Sequence, residues 1–181
     1  MNRSSISLAV ATIALIVMFA PARSAAQCSA LGAGGSCTLA SNASMVAGRV
    51  IRMQMSATST TLTAPTPTDF DAGFNLTTGP TLTISANAAW RLYLRATTAV
   101  WSATNTSPGA PARTNKPVGD LRWSTNAAGP FVALTTSDVN LAAGTATASN
   151  ANTLYFRTAY SWTLDTPGNY DLTLVLSLTS P

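Results

Sequence analysis

Asp69 and Asp71 stand two apart in TDFDAGF, in a chain whose acids are all aspartate. On extended backbone both carboxylates face one way and Phe70 the other. Two hard oxygens beside loop carbonyls are material for a Ca²⁺ site, although no calcium-loop spacing surrounds them and solvated acids at a strand end are the simpler reading. The rest of the inventory is poor for catalysis. The chain has no Glu and no His, so Ser-His-Asp and Cys-His devices and glutamate acids are absent. Asp165-Thr166-Pro167-Gly168 has the look of an aspartic-protease loop, but that chemistry needs two carboxylates sharing a proton. Turn formation accounts for these residues. Lys116, the only lysine, has no serine three residues ahead of it. The expectation is a non-enzyme with no cofactor and no metal beyond the weak Asp69/Asp71 candidate.

Binding chemistry is better represented. Arg91, Tyr93 and Arg95 alternate along WRLYLRA, and Tyr155 and Arg157 alternate along LYFRTA. If these strands are neighbours, guanidinium forks and ring faces merge into a patch suited to a sugar polymer or an acidic partner. Cross-strand pairing on an exposed sheet face, or a contact between subunits, is the plainer reading. Trp90, Trp123 and Trp162 lie on the apolar sides of their strands, which places them in the core. Trp101 opens a loop and is the tryptophan best placed for binding.

The elements that carry these residues read as strands. Ile51, Met53 and Met55 share a face, as do Leu82 with Ile84, and Trp90, Leu92, Leu94 and Ala96. Asn87-Ala88 marks a bend. Leu121 and Trp123 start a hairpin whose return is Phe131 to Leu134. Ser137 to Ala148 reads as one weak strand at 144–149. The end of the chain, Leu154 to Pro181, alternates twice around Asp165-Thr166-Pro167-Gly168-Asn169, and predicts a closing hairpin. The Pro65/Pro67 stretch reads as a connector, and nothing after the leader has helical periodicity. The fold class is therefore all-β. A single antiparallel β-sandwich is expected, immunoglobulin-like or jelly-roll-like, with about eight strands; a small closed barrel is the alternative.

Residues 1–26 read as a signal peptide, with an apolar run from Ile6 to Ala20 and small residues Ser24-Ala25-Ala26 at the cleavage site. Residues 27–43 form a lead-in containing Cys28 and Cys37, a disulfide pair in an exported chain. Residues 44–181 form the sandwich. The formal charge is +4, falling to +2 when Arg3 and Arg23 leave with the leader. That is too little for a nucleic-acid protein, and no basic cluster is present. No further apolar run spans a membrane. Only 9% of residues are charged, so the polar surface is Thr, Ser and Asn, as suits an extracellular β-protein.

Two segments resemble the WxL domain of bacterial wall-associated proteins. One is ANAAWRLYLRA, with Trp90-Arg91-Leu92. The other is GNYDLTLVLSLTSP, where Tyr170, Leu174, Leu178 and Pro181 match the family's closing pattern. Val175 and Leu176 stand where that family has Thr-Trp. The resemblance implies an all-β domain attached non-covalently to peptidoglycan. The chain is also similar in general character to secreted pilus and coat subunits.

The favoured expectation is an exported, non-enzymatic bacterial cell-surface protein: a structural or binding module associating with cell-wall polysaccharide or other surface proteins. It would be secreted, at the cell surface or in the periplasm. The alternative is a fimbria-like or coat subunit that self-associates by strand complementation. The Gly/Ala/Ser content of 27–43 makes that stretch a poor donor strand.

Overall fold

The computed structural model describes residues 28–29, 31–106 and 111–181. The expected signal peptide lies outside the described residues. The chain divides into two units, 1–46 and 47–181. In the first, Cys28 and Cys37 are joined as a disulfide with Cα atoms 5.8 Å apart. No helix or strand occurs among the described residues of that unit.

The second unit is an antiparallel β-sandwich of ten strands. They are β1 (Ile51–Met55), β2 (Phe74–Ala86), β3 (Trp90–Ala96), β4 (Ser102–Asn105), β5 (Leu121–Ser124), β6 (Val132–Ala133), β7 (Val139–Gly144), β8 (Thr147–Ala159), β9 (Gly168–Asp171) and β10 (Leu174–Thr179). One sheet runs β1-β2-β8-β5-β6 and the other β10-β3-β7, while β4 pairs with β9. The β4–β9 ladder continues the β3–β10 ladder, because Thr97 N–H donates to Thr173 O between them. Each sheet turns its period-2 apolar face inward. Leu82, Ile84, Leu121, Trp123, Leu154 and Phe156 from the larger sheet meet Trp90, Leu92, Leu94, Ala96 and Leu141 from the smaller.

At Asn87 the chain leaves one sheet for the other. The side chain fixes the bend, its Oδ1 accepting from Val50 N–H and its Nδ2 donating to Gly48 O. The expected hairpin at Leu121–Leu134 is present, with Arg122 opposite Ala133 and Trp123 opposite Val132.

Three expectations are overturned. The closing hairpin does not form. Both edges of β8 are occupied, by β2 and β5, so the last strands cross to the other sheet and pair with β4 and β3. Gly168 is the first residue of β9 rather than a turn position. The segment 137–148 contains a full strand, β7, before β8 begins. Residues Pro67–Ala72 are a short helix, α1. Its signals are local: Thr66 and Asp69 form a capping box, Pro67 occupies the first turn, and Gly73 closes it at φ 76°.

Candidate functional site

The sandwich is closed at one end and open at the other. At the closed end Arg49 Nη1 donates to Pro181 O, and Ser180 Oγ donates to Ala89 O at 3.0 Å. Toward the other end β1 gives way to the extended segment 57–65, and a cleft of about 1250 Å³ separates it from β9 and β10. Thr63 N–H donates to Thr77 Oγ1 at 3.0 Å, tying the segment to β2. Leu154 and Phe156 of β8 lie on the floor of the cleft, and Leu174 and Leu176 of β10 form a wall. Those two leucines, with Leu172 and Leu178, are only partly buried against the core, whereas Leu92 and Leu94 on the neighbouring β3 are fully buried. The β10 edge that faces away from β3 pairs with no strand among the described residues.

A buried ionic cluster stands at one end of this cleft. The backbone at 99–101 pairs with 116–118, Trp101 N–H donating to Lys116 O and Val118 N–H to Ala99 O. This ladder draws Lys116 inward until it is 2% exposed. Its Nζ donates to Ala159 O and to Asp165 Oδ1, each at 2.8 Å, and lies 3.3 Å from Asp120 Oδ2. Arg113 Nη1 bridges the same acids, 3.0 Å from Asp165 and 3.3 Å from Asp120. Ser161 N–H donates to Asp165 Oδ2 at 2.8 Å. The Tyr160 ring centroid is 5.3 Å from Nζ. Desolvation first, then the nearby Asp165 and Asp69 charges, raise the Tyr160 hydroxyl above the ordinary tyrosine range, against a lowering hydrogen bond with Thr158. Sequence reasoning missed this cluster. Lys116 and Asp120 are four apart, but nothing local marks Asp165, which is 49 residues from Lys116.

The Arg/Tyr stripes do not merge. Arg91, Tyr93 and Arg95 lie on β3 and Tyr155 and Arg157 on β8, in different sheets whose outward faces point away from each other. Arg95 instead pairs with Asp138 at 3.4 Å, and the Arg157 guanidinium sits 3.7 Å over the Phe74 ring. Asp69 and Asp71 are on α1, where residues two apart do not share a face. Asp69 Oδ2 accepts from Thr66 N–H and Oγ1, each at 2.7 Å. Those bonds hold its carboxyl below the usual range. The extended geometry behind the calcium reading is thus absent. No group of three or more His, Cys, Asp or Glu side chains suited to a metal occurs among the described residues.

Trp101 is buried, its Nε1 donating to Pro117 O at 3.1 Å. Trp90 and Trp123 are in the core as expected, but Trp162 is 61% exposed. Its strand ends at Ala159, so alternation carried past that point assigned the wrong side. The ring stacks on Phe70, centroids 4.6 Å apart, and its Nε1 donates to Asp71 Oδ1 at 3.0 Å. Of the motif residues, Trp90 and Leu92 are core and Leu174 and Leu178 pack on it. Tyr170 OH donates to Thr166 O at 2.7 Å and accepts from Arg113 N–H at 3.1 Å. No helix among the described residues is long and apolar enough to cross a membrane. No protein-family model matches the chain, and none of the curated proteins it was compared with matches it.

Proposed function

We propose that this chain is an exported, non-enzymatic subunit of a bacterial surface assembly, built by strand complementation along the free edge of β10. The carrying observation is the half-buried leucine row, Leu172, Leu174 and Leu176, beside an open cleft. A sandwich that leaves its inner apolar face uncovered next to an unpaired strand edge is short of one strand. The donor is residues 39–47 of a second copy, a segment that overlaps the Gly/Ala/Ser-rich 27–43 stretch only at 39–43 and takes its large apolar side chains from Leu39, Met45 and Val46. Leu39, Met45 and Val46 are 57%, 88% and 98% exposed. In an extended conformation Leu39, Ser41, Ala43, Met45 and Ala47 share one face, with Val46 on the other. These nine residues would span ~30 Å, matching the stretch from Gly168 to Leu176 along the cleft.

The test is self-assembly of the full exported chain, followed by light scattering and electron microscopy. Filaments or ordered oligomers are expected, with amide protection along β10. Leu39→Asp with Met45→Asp abolishes them while leaving the sandwich's unfolding unchanged. A wild-type chain that stays monomeric at high concentration would refute the reading.

A second reading, contact with wall polysaccharide, is favoured by the exposed Trp162–Phe70 stack and by the WxL resemblance. A ring held rigidly by a stack and a hydrogen bond suits a sugar face. Co-sedimentation with peptidoglycan sacculi, lost in Trp162→Ala, is the outcome that would support it.

A further inference from the structure

Lysine heads ordinarily stay in water while their stems cover apolar surface. The chain's only lysine does the reverse. The Lys116 and Asp165 side chains are 3% and 6% exposed, and their Nζ and Oδ1 atoms are 2.8 Å apart. A second carboxylate, Asp120 Oδ2, is 3.3 Å from the same nitrogen. An amine beside a carboxyl group, with another carboxylate in reach of the same amine, is a complete set for amide condensation.

We propose that Lys116 and Asp165 become joined by an isopeptide bond once the chain has folded, with Asp120 as the proton carrier. Lys116 Nζ attacks Asp165 Cγ, forming the C–N bond. The Cγ–Oδ1 bond breaks and that oxygen leaves as water. The ammonium gives up two protons and keeps one as the amide hydrogen. Both released protons end on the departing oxygen, passing by way of Asp120. An ammonium and a carboxylate become a neutral amide and water, so charge is conserved and no oxidant or cofactor is required.

Several contacts favour Asp165 over Asp120 as the acyl partner. Asp165 is closer to Nζ and more deeply buried. Ser161 N–H donates to Oδ2 at 2.8 Å, where negative charge gathers in the tetrahedral intermediate, and a fixed donor there lowers the barrier. Arg113 contacts both acids, so after condensation it still pairs with Asp120 and no buried charge is orphaned. Lys116 and Asp165 line the cleft, which gives the water a way out. Groups held in contact by a fold reach effective molarities of about 10⁵–10⁸ M, which drives a condensation that free ammonium and carboxylate do not undergo in water. The bond would tie the segment before β5 to the segment before β9, and it does not depend on what occupies the cleft.

Mass spectrometry of the full exported chain, denatured and reduced, tests this. The expected mass is lower than that of the sequence by one water. Trypsin should then release residues 114–122 covalently joined to 158–181, because Pro117 blocks cleavage after Lys116. Asp165→Ala should restore the full mass. Since that variant strips Lys116 and Arg113 of a buried partner, Asp120→Asn serves as the second arm, and it should fold, show full mass and yield separate peptides. A folded wild-type chain of full mass, or a water loss mapped to any other peptide, overturns the proposal. Water loss persisting in Asp120→Asn overturns the role of Asp120.

Discussion

Trp162 Nε1 donates to Asp71 Oδ1 across 3.0 Å, joining the segment after β8 to the end of α1. This bond and the stack on Phe70, rather than burial, hold the indole. Trp162→Ala therefore forfeits one aromatic pair and an exposed hydrogen bond, about 1 kcal/mol, where a core tryptophan would cost about 3–5 kcal/mol. Urea unfolding measures the difference. The same variant should remove most of the iodide-quenchable fluorescence, because the other three tryptophans are buried.

The sequence made the strand faces legible but not their partners. Alternation identified the buried sides of Leu82 with Ile84, of Trp90 through Ala96, and of Leu121 with Trp123, because a pleat forces the period. Pairing depends on which edges are already taken, and no local pattern reports that. Leu154–Ala159 and Gly168–Thr179 are neighbours in sequence around a Pro-Gly step, yet β2 and β5 occupy both sides of β8. The helix was legible in principle, through Thr66, Pro67, Asp69 and Gly73. The ionic cluster was not. A lone lysine in a turn-rich loop reads as surface, and only the fold carries Asp165 to it.

Gly79 is required by close approach. It lies where the β2–β8 register shifts between Thr78 and Thr81. A Cβ there would meet the Phe156 ring at Cδ2, 2.9 Å away, and Leu154 O at 3.2 Å. Phe156 is core and cannot withdraw without opening the floor of the cleft. Gly79→Ala should cost about 1–3 kcal/mol as overpacking, seen as a lowered urea midpoint with an unchanged slope.

Arg113 balances the charge of two acids at once, Asp120 and Asp165. Arg113→Met keeps much of the stem volume but takes the cation from Asp120, the carboxylate that stays charged once Lys116 and Asp165 have condensed. Removing one member of a buried pair costs about 3–5 kcal/mol, because the remaining charge stays desolvated. The lower end is expected here, since the Asp120 side chain is 24% exposed. Chemical unfolding of the variant beside Arg95→Met, whose pair with Asp138 is exposed, separates the two cases. The exposed pair should cost less than about 1 kcal/mol.

Tyr160 sets an alkaline limit. Burial is the main cause that raises its hydroxyl above the ordinary tyrosine value, and the Asp165 and Asp69 charges add to it. In the unfolded chain the phenol loses its proton near pH 10. Above that point the folded state holds more protons than the unfolded state, so stability falls as pH rises. The contribution is complete below about pH 10 and is lost on passing through the raised folded value. Tyr160→Phe, which cannot ionise, should flatten this alkaline fall. Thermal melts of both proteins from pH 8 to pH 11 would show it, and curves that stay parallel across that range would remove Tyr160 as the cause.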